Sequence, residues 1–155
     1  MISLNKIHLR IQQLILFFWS LWFSFIMASN TFDYLKAVDY LSKEWKFASG
    51  NFEAMLKTTE IYHTPRTFVL ILLLGVIFWQ IICTFFFWRA FIRSFSNNRN
   101  HSLYIAFFLA LSLFASFAIS TEIFIDYETE ETFIRIFTAL LLSFFVSHHL
   151  HGESW

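Results

Sequence analysis

The sequence predicts an all-α integral membrane protein, a four-helix bundle of transmembrane segments with an amphipathic extracytoplasmic helix between the first and second spans. Two observations predict it. The 155 residues are 57% hydrophobic, with 23 Phe, 6 Trp and a mean hydropathy of +0.58, well away from the composition of a soluble globular domain. The charged residues gather into clusters that leave four long apolar stretches between them. A bilayer core about 30 Å thick needs about 20 mainly apolar residues per spanning helix, and each stretch meets or approaches that length.

The first span covers 11–29. Lys6 and Arg10 precede it, Gln12 and Gln13 soften its entrance, and its middle is apolar and aromatic. The same stretch has the outline of a secretory signal, with Ala28, Ser29 and Asn30 in the place of a cleavage region. Trp19, Trp22 and the phenylalanines around them are bulky for a signal core, and no A-x-A pattern closes it, so a retained anchor is expected. The second span, 68–88, follows the only proline, Pro65, and stops before Arg89 and Arg93. The third, 103–125, has no charge in its body and carries Glu122 near its far end, within reach of the headgroups. The fourth, 133–150, holds Arg135 one turn inside, where a long side chain snorkels back to water. The whole chain, 1–155, is read as one membrane domain.

Between the first two spans lies the longest polar stretch, 30–67. Phe32, Leu35, Val38, Leu41 and Trp45 recur every three or four positions, which predicts a helix from near Asn30 with one apolar face. Gly50 is placed to end it, and Asn51 to cap a second short helix bearing Phe52, Met55 and Leu56. Two readings stay open for this segment, a lid or docking helix over the mouth of the bundle and a connector lying in the interface.

Orientation follows the placement of Lys and Arg on short connections. The link from Arg89 to Ser102 has Arg89, Arg93 and Arg99 and no acid, while the link between the third and fourth spans has Asp126, Glu128, Glu130 and Glu131 and no base. Both termini are therefore expected in the cytoplasm, with 30–67 outside.

In lipid, helices associate through small residues and interhelical hydrogen bonds rather than through hydrophobic drive. Small residues recur at i, i+4, i+8 in Ser20, Ser24 and Ala28 of the first span, Ser112, Ser116 and Ser120 of the third, and Ala139, Ser143 and Ser147 of the fourth. The second span offers Gly75 and Cys83, with Gln80 and Thr84 nearby. These positions are expected to pack helices together. The same serines lining a shared polar pathway is the other reading, although hydroxyls in such helices commonly bond their own backbone carbonyls.

Few residues suggest chemistry. Eleven basic and eleven acidic residues balance, so the electrostatic footprint of a nucleic-acid binder is missing. The single cysteine, Cys83, excludes an intrachain disulfide and any CxxC motif. His148 and His151 are three apart near the C-terminus, and His101 falls on the same side, which makes them weak candidates for a metal site. The competing reading is of polar residues closing a helix end, favoured there by the dipole. The acids of 126–131 lack the ligand spacing and turn glycine of an EF-hand. Glu122 and Arg135 are a candidate ion pair between the third and fourth spans. No GxSxG, HExxH, P-loop or GxGxxG occurs, so no enzymatic activity and no cofactor are predicted.

Asn30, Asp33 and Tyr34 form an Asn-x-x-Asp-Tyr element just after the first span, and Trp88-Arg89-Ala90 closes the second. With the segment 131–137 before the fourth span, these features resemble a family of bacterial predicted small integral membrane proteins of unknown function. The resemblance implies four spans and a bacterial inner-membrane location, and it carries no functional residues. The function expected from the sequence is that of a structural or accessory component of a membrane complex, with the bilayer and a membrane-protein partner or a second copy as its contacts. A small transporter or permeability component is the alternative, and a haem- or quinone-associated respiratory subunit a third.

Overall fold

A computed structural model describes residues 4–96 and 100–152, and the side chains of 6–96 and 100–149. Among these residues the regular structure is entirely helical. It comprises α1 (Leu4–Ala37), α2 (Asn51–Thr59), a single 3-10 turn (Glu60–Tyr62), α3 (Arg66–Arg93), α4 (His101–Phe124) and α5 (Tyr127–Gly152). The long helices α1, α3, α4 and α5 are apolar and extended enough to cross a membrane, so the chain has the architecture of a membrane-spanning helical bundle.

Helices α1, α3 and α5 overshoot their predicted spans at both ends, because helical hydrogen bonding continues past the last apolar residue until a turn stops it, whereas α4 starts two residues early and stops at Phe124, one short of the expected end. The largest overshoot is in α1, which continues through Asn30 to Ala37. Its end is set by Asp39 in the left-handed region at φ 58°, with the Tyr40 N–H closing back on the Leu35 carbonyl at 2.9 Å. Aspartate is one of the few side chains that tolerates that conformation. The predicted amphipathic helix running from Asn30 to Gly50 is therefore not formed as one element. Its first half belongs to α1, and its second half folds back as a turn in which Phe32 meets Trp45 and Phe47, with ring centroids 5.5 and 5.8 Å apart. Gly50, at φ 75°, is the entry to α2 rather than the end of a preceding helix.

The four long helices close a ring in which α1 touches α3 and α5, α3 touches α4, and α4 touches α5. Helices α1 and α3 run antiparallel, since Gln13 bonds Ser94 at one end and Arg66 bonds the Ala37 carbonyl at the other. The core is aromatic. Phe23 stacks on Phe87 at 5.1 Å, Phe87 meets Phe107 edge-on at 5.2 Å, and Trp19 and Phe114 flank them. Ala90, Ala106 and Ala110 bring the α3 and α4 backbones close around these rings. Helix α5 contributes little to this core. Leu140 and Ser147 are its buried side chains among those described.

Side-chain bonds lock the end that holds the termini. Gln12 donates to the Ser147 carbonyl (3.0 Å), Gln13 to the Ser94 carbonyl (3.3 Å) and Asn100 to the Ala90 carbonyl (2.7 Å). The glutamines that look like a polar entrance in the sequence thus tie α1 to α5 and to the end of α3.

Candidate functional site

At the opposite end, residues 38–65 form a strap that carries α2 across the ends of α1 and α3. Phe52, Met55 and Leu56 fall on one face of α2, as their spacing predicts. Phe52 is buried with Val69, Leu73 and Ile77 of α3, and the other two pack against that cluster. Arg66 lies over the Phe52 ring, 4.6 Å from its centroid.

The start of α2 is held by α1. Gly50 occupies the N-cap position and offers no side chain, and Asn51 does not cap the helix as predicted. Asp33 supplies the acceptor instead, taking the Phe52 N–H at 2.7 Å and the Ser49 hydroxyl at 3.1 Å on the same oxygen. Asn51 turns inward and donates to Asn30 Oδ1 (2.7 Å), and Asn30 donates to Gln80 Oε1 (3.0 Å). Gln80 stands midway along α3, so this amide chain runs from the strap into the middle of an apolar helix. The sequence placed Asn30 at the start of the outer segment because a polar residue after an apolar run reads as a boundary. In the fold its polarity is satisfied within the bundle.

The far end of the strap is held by the α4–α5 turn. Thr58 donates to Asp126 at 2.7 Å, and the Tyr62 hydroxyl to the Ile123 carbonyl at 2.9 Å. Asp126 also caps α5, accepting the Thr129 N–H (3.2 Å) and hydroxyl (2.9 Å). The Thr58 hydrogen bond, aided by Thr129 and the Lys57 charge, outweighs partial burial and holds the Asp126 carboxyl below the usual carboxylate range. It is therefore ionised at neutral pH. The turn needs Ile125 at φ 58°, an unfavourable conformation for a β-branched residue.

Beneath α2, between the strap-end halves of α3 and α4, lies a cavity of about 250 Å³. Leu72, Leu73 and Val76 of α3 and Phe117 and Phe124 of α4 form its apolar walls, with Met55 above and Phe133 at the side. Its polar lining falls into two groups. Asn30 and Asn51 belong to the start of α2 and its tether, and Thr58, Thr59, Ser120, Thr121, Asp126 and Thr129 to the end of α2 and the α4–α5 turn. Ser120 is exposed on the outside of the bundle. The cavity therefore has a mouth on the face where lipid lies.

The residues singled out in the sequence fall in several places. Ser20 is fully buried and Ser24 and Ala28 half-buried, and Ser24 receives the Trp88 indole N–H at 3.0 Å, which joins α1 to α3. Ser147 is buried and Ser143 half-buried on α5, whereas Ala139 faces outward. The α4 stripe departs from the expectation of packing inside the bundle. Ser112 is half-buried, Ser116 and Ser120 are exposed, and each hydroxyl bonds the carbonyl one turn back at 2.7–2.8 Å. Ala106 and Ala110, one face round, make the α4 contact instead. Gly75 is likewise exposed, with open space where a Cβ would stand. Of these serines, Ser120 is the one that lines the cavity beneath α2 among the described residues.

Arg135 bonds Glu131, one turn earlier on its own helix, rather than Glu122 on α4. The reason is local, since residues four apart on a helix are neighbours whatever the tertiary packing. His148 takes part in a 3.1 Å hydrogen bond with Tyr104 between α5 and α4. His101 is exposed at the start of α4, and the side chain of His151 lies outside the described residues. Among the described residues no group of three His, Cys, Asp or Glu side chains is placed to hold a metal ion.

No family model, curated protein or solved structure matches this chain. What the site can do is therefore argued from its own geometry.

Proposed function

We propose that this protein is a non-enzymatic accessory component of a membrane complex, which acts by packing its helices against a membrane-protein partner or a second copy of itself. One observation carries the reading. Small residues that could have been spent inside the bundle are turned outward on two helices, Gly75 on α3 and Ser116 and Ser120 on α4. In hydrocarbon such positions let another backbone approach closely, while large side chains suffice to face lipid. The arginines of 89–99 and the acids of 126–131 support cytoplasmic termini, and the Asn-x-x-Asp-Tyr resemblance supports a bacterial inner membrane.

The transporter reading requires serines around a shared pathway, and no observation favours it. The test uses the single native cysteine to advantage. In a Cys83→Ser background, Ser116→Cys is expected to crosslink to protein in native membranes, whereas Phe108→Cys, at a large exposed side chain of the same helix, is not. Equal and low crosslinking at both sites, with a monomer recovered from gentle detergent, would overturn the proposal.

A further inference from the structure

The cavity beneath the strap opens beside Ser120, at the strap end of the packing face, and differs from that face in chemistry. It is roofed by Asn51, Ala54, Met55 and Thr58 of α2, and Ser120 at its edge is exposed on a membrane-crossing helix, where molecules dissolved in the bilayer reach it. Its volume of about 250 Å³ falls below the roughly 300–1,000 Å³ of pockets that enclose a whole drug-sized ligand. It suits part of an amphipath, the head and the first carbons of a chain, with the remainder left in lipid. Depth sorts the lining in the matching order. Asp126 and Thr58 stand at the rim, and Phe117 lies seven residues below Phe124 on α4, about 10 Å deeper at the helical rise.

The hydrogen-bonding inventory narrows the head. Thr58 spends its one proton on Asp126, Thr129 spends its own on the same carboxylate, and Ser120 and Thr121 spend theirs on backbone carbonyls. Asp126 is an acceptor only. That group therefore offers lone pairs and asks for a donor. At the start of α2, Asn30 and Asn51 each donate one amide N–H and have a second, which asks for an acceptor. A carboxylate or phosphate head only accepts and meets an ionised Asp126; an ammonium head pairs with Asp126 but answers neither amide and enters an apolar cavity at the cost of its hydration. A hydroxyl both donates and accepts.

We infer that the cavity between α3 and α4 beneath the strap is a binding site for a neutral, hydroxyl-headed amphipath of the bilayer, such as a monoacylglycerol or a long-chain alcohol. The head sits between Asp126 and the Asn30–Asn51 pair, and the chain passes along Val76 and Phe117 out beside Ser120.

The experiment uses the full chain in nanodiscs and three diazirine-bearing probes of equal chain length, an alcohol, a carboxylic acid and an alkylammonium. Expected is saturable labelling of α3 and α4 peptides containing Val76 or Phe117 by the alcohol, competed by unlabelled monoacylglycerol. The acid should compete about ten-fold more weakly or worse, the factor expected for one charge-assisted hydrogen bond, and the ammonium more weakly than the alcohol. Val76→Trp, which fills the cavity, should abolish the saturable component, and Ser120→Phe, which blocks the mouth from outside, serves if the first variant does not fold. Labelling that is unsaturable, or spread equally over exposed positions such as Phe108 and Leu142, overturns the site. Saturable labelling in which the acid or the ammonium matches the alcohol overturns the assignment of the head.

Discussion

The middle of the bundle and its strap end are built on different principles. In the middle the interior is aromatic, and Phe23, Phe87, Phe107 and Phe114 interlock with small residues of α3 and α4 between them. At the strap end the helices separate and polar bonds replace ring contacts. Asp33, Asn30 and Gln80 hold one side of the strap, and Asp126 holds the other. Ring packing tolerates no gap, whereas a hydrogen-bonded tether spans one, so the cavity is found where tethers do the holding.

The comparison breaks most severely at Phe87. Phe87→Ala should destabilise the bundle toward the lower end of the about 3–5 kcal/mol known for such changes in water-soluble cores, because in lipid the cavity cost persists while the transfer gain shrinks. Loss of helix association in a denaturing-detergent titration measures it. Asp33→Ala leaves the Phe52 N–H buried without its acceptor, at a cost of about 1–3 kcal/mol. Here the expected result is local, with faster hydrogen exchange in α2 and an unchanged near-UV signal from the aromatic half. Global loss of that signal would mean that the two regions are not separable.

Asp126 sharpens the contrast through pH. Its folded pKa is lowered, so the stability it contributes is fully present above the ordinary aspartate pKa of about 3.9 and is lost as pH falls through the lowered folded value. Acid should loosen the α4–α5 turn and the end of the strap, and Asp126→Ala should do the same at neutral pH at the about 0.5–2 kcal/mol of a lost N-cap. Exchange rates at Thr58 and Thr129 from about pH 5 down to about pH 2, a window that runs from above that reference pKa to below it, check both. The smallest effect has the opposite sign. Ile125→Gly relieves a β-branched residue at φ 58° and should stabilise the turn by about 1 kcal/mol, read as slower exchange at Asp126.

The spans were legible because their signal is compositional. Apolar runs bounded by charge, Arg66 and Arg89 for α3 and Arg99 and Asp126 for α4, locate these helices to within a few residues, and the face of α2 carried by Phe52, Met55 and Leu56 follows from spacing alone. The tethers were not legible. That Asp33 caps a helix beginning at residue 51 depends on the turn at Asp39, whose left-handed conformation leaves little trace in the sequence. Stripes of small residues showed where another helix can approach, but not which one. On α1 the approach is made by Trp88, while on α4 no described helix makes it. The cavity was invisible for a related reason, since Thr58, Thr121 and Asp126 come from three elements whose meeting depends on the strap.

The indole groups give the molecule reporters of its own. Trp88 bonds Ser24 across α1 and α3, Trp79 bonds the Leu109 carbonyl across α3 and α4, and Trp19 is buried with its ring nitrogen unpartnered. Three side chains of one type thus sample three distinct neighbourhoods, with Trp19 and Trp88 on the α1–α3 seam and Trp79 on the α3–α4 seam. Parting of either seam can be followed spectroscopically without attaching a label.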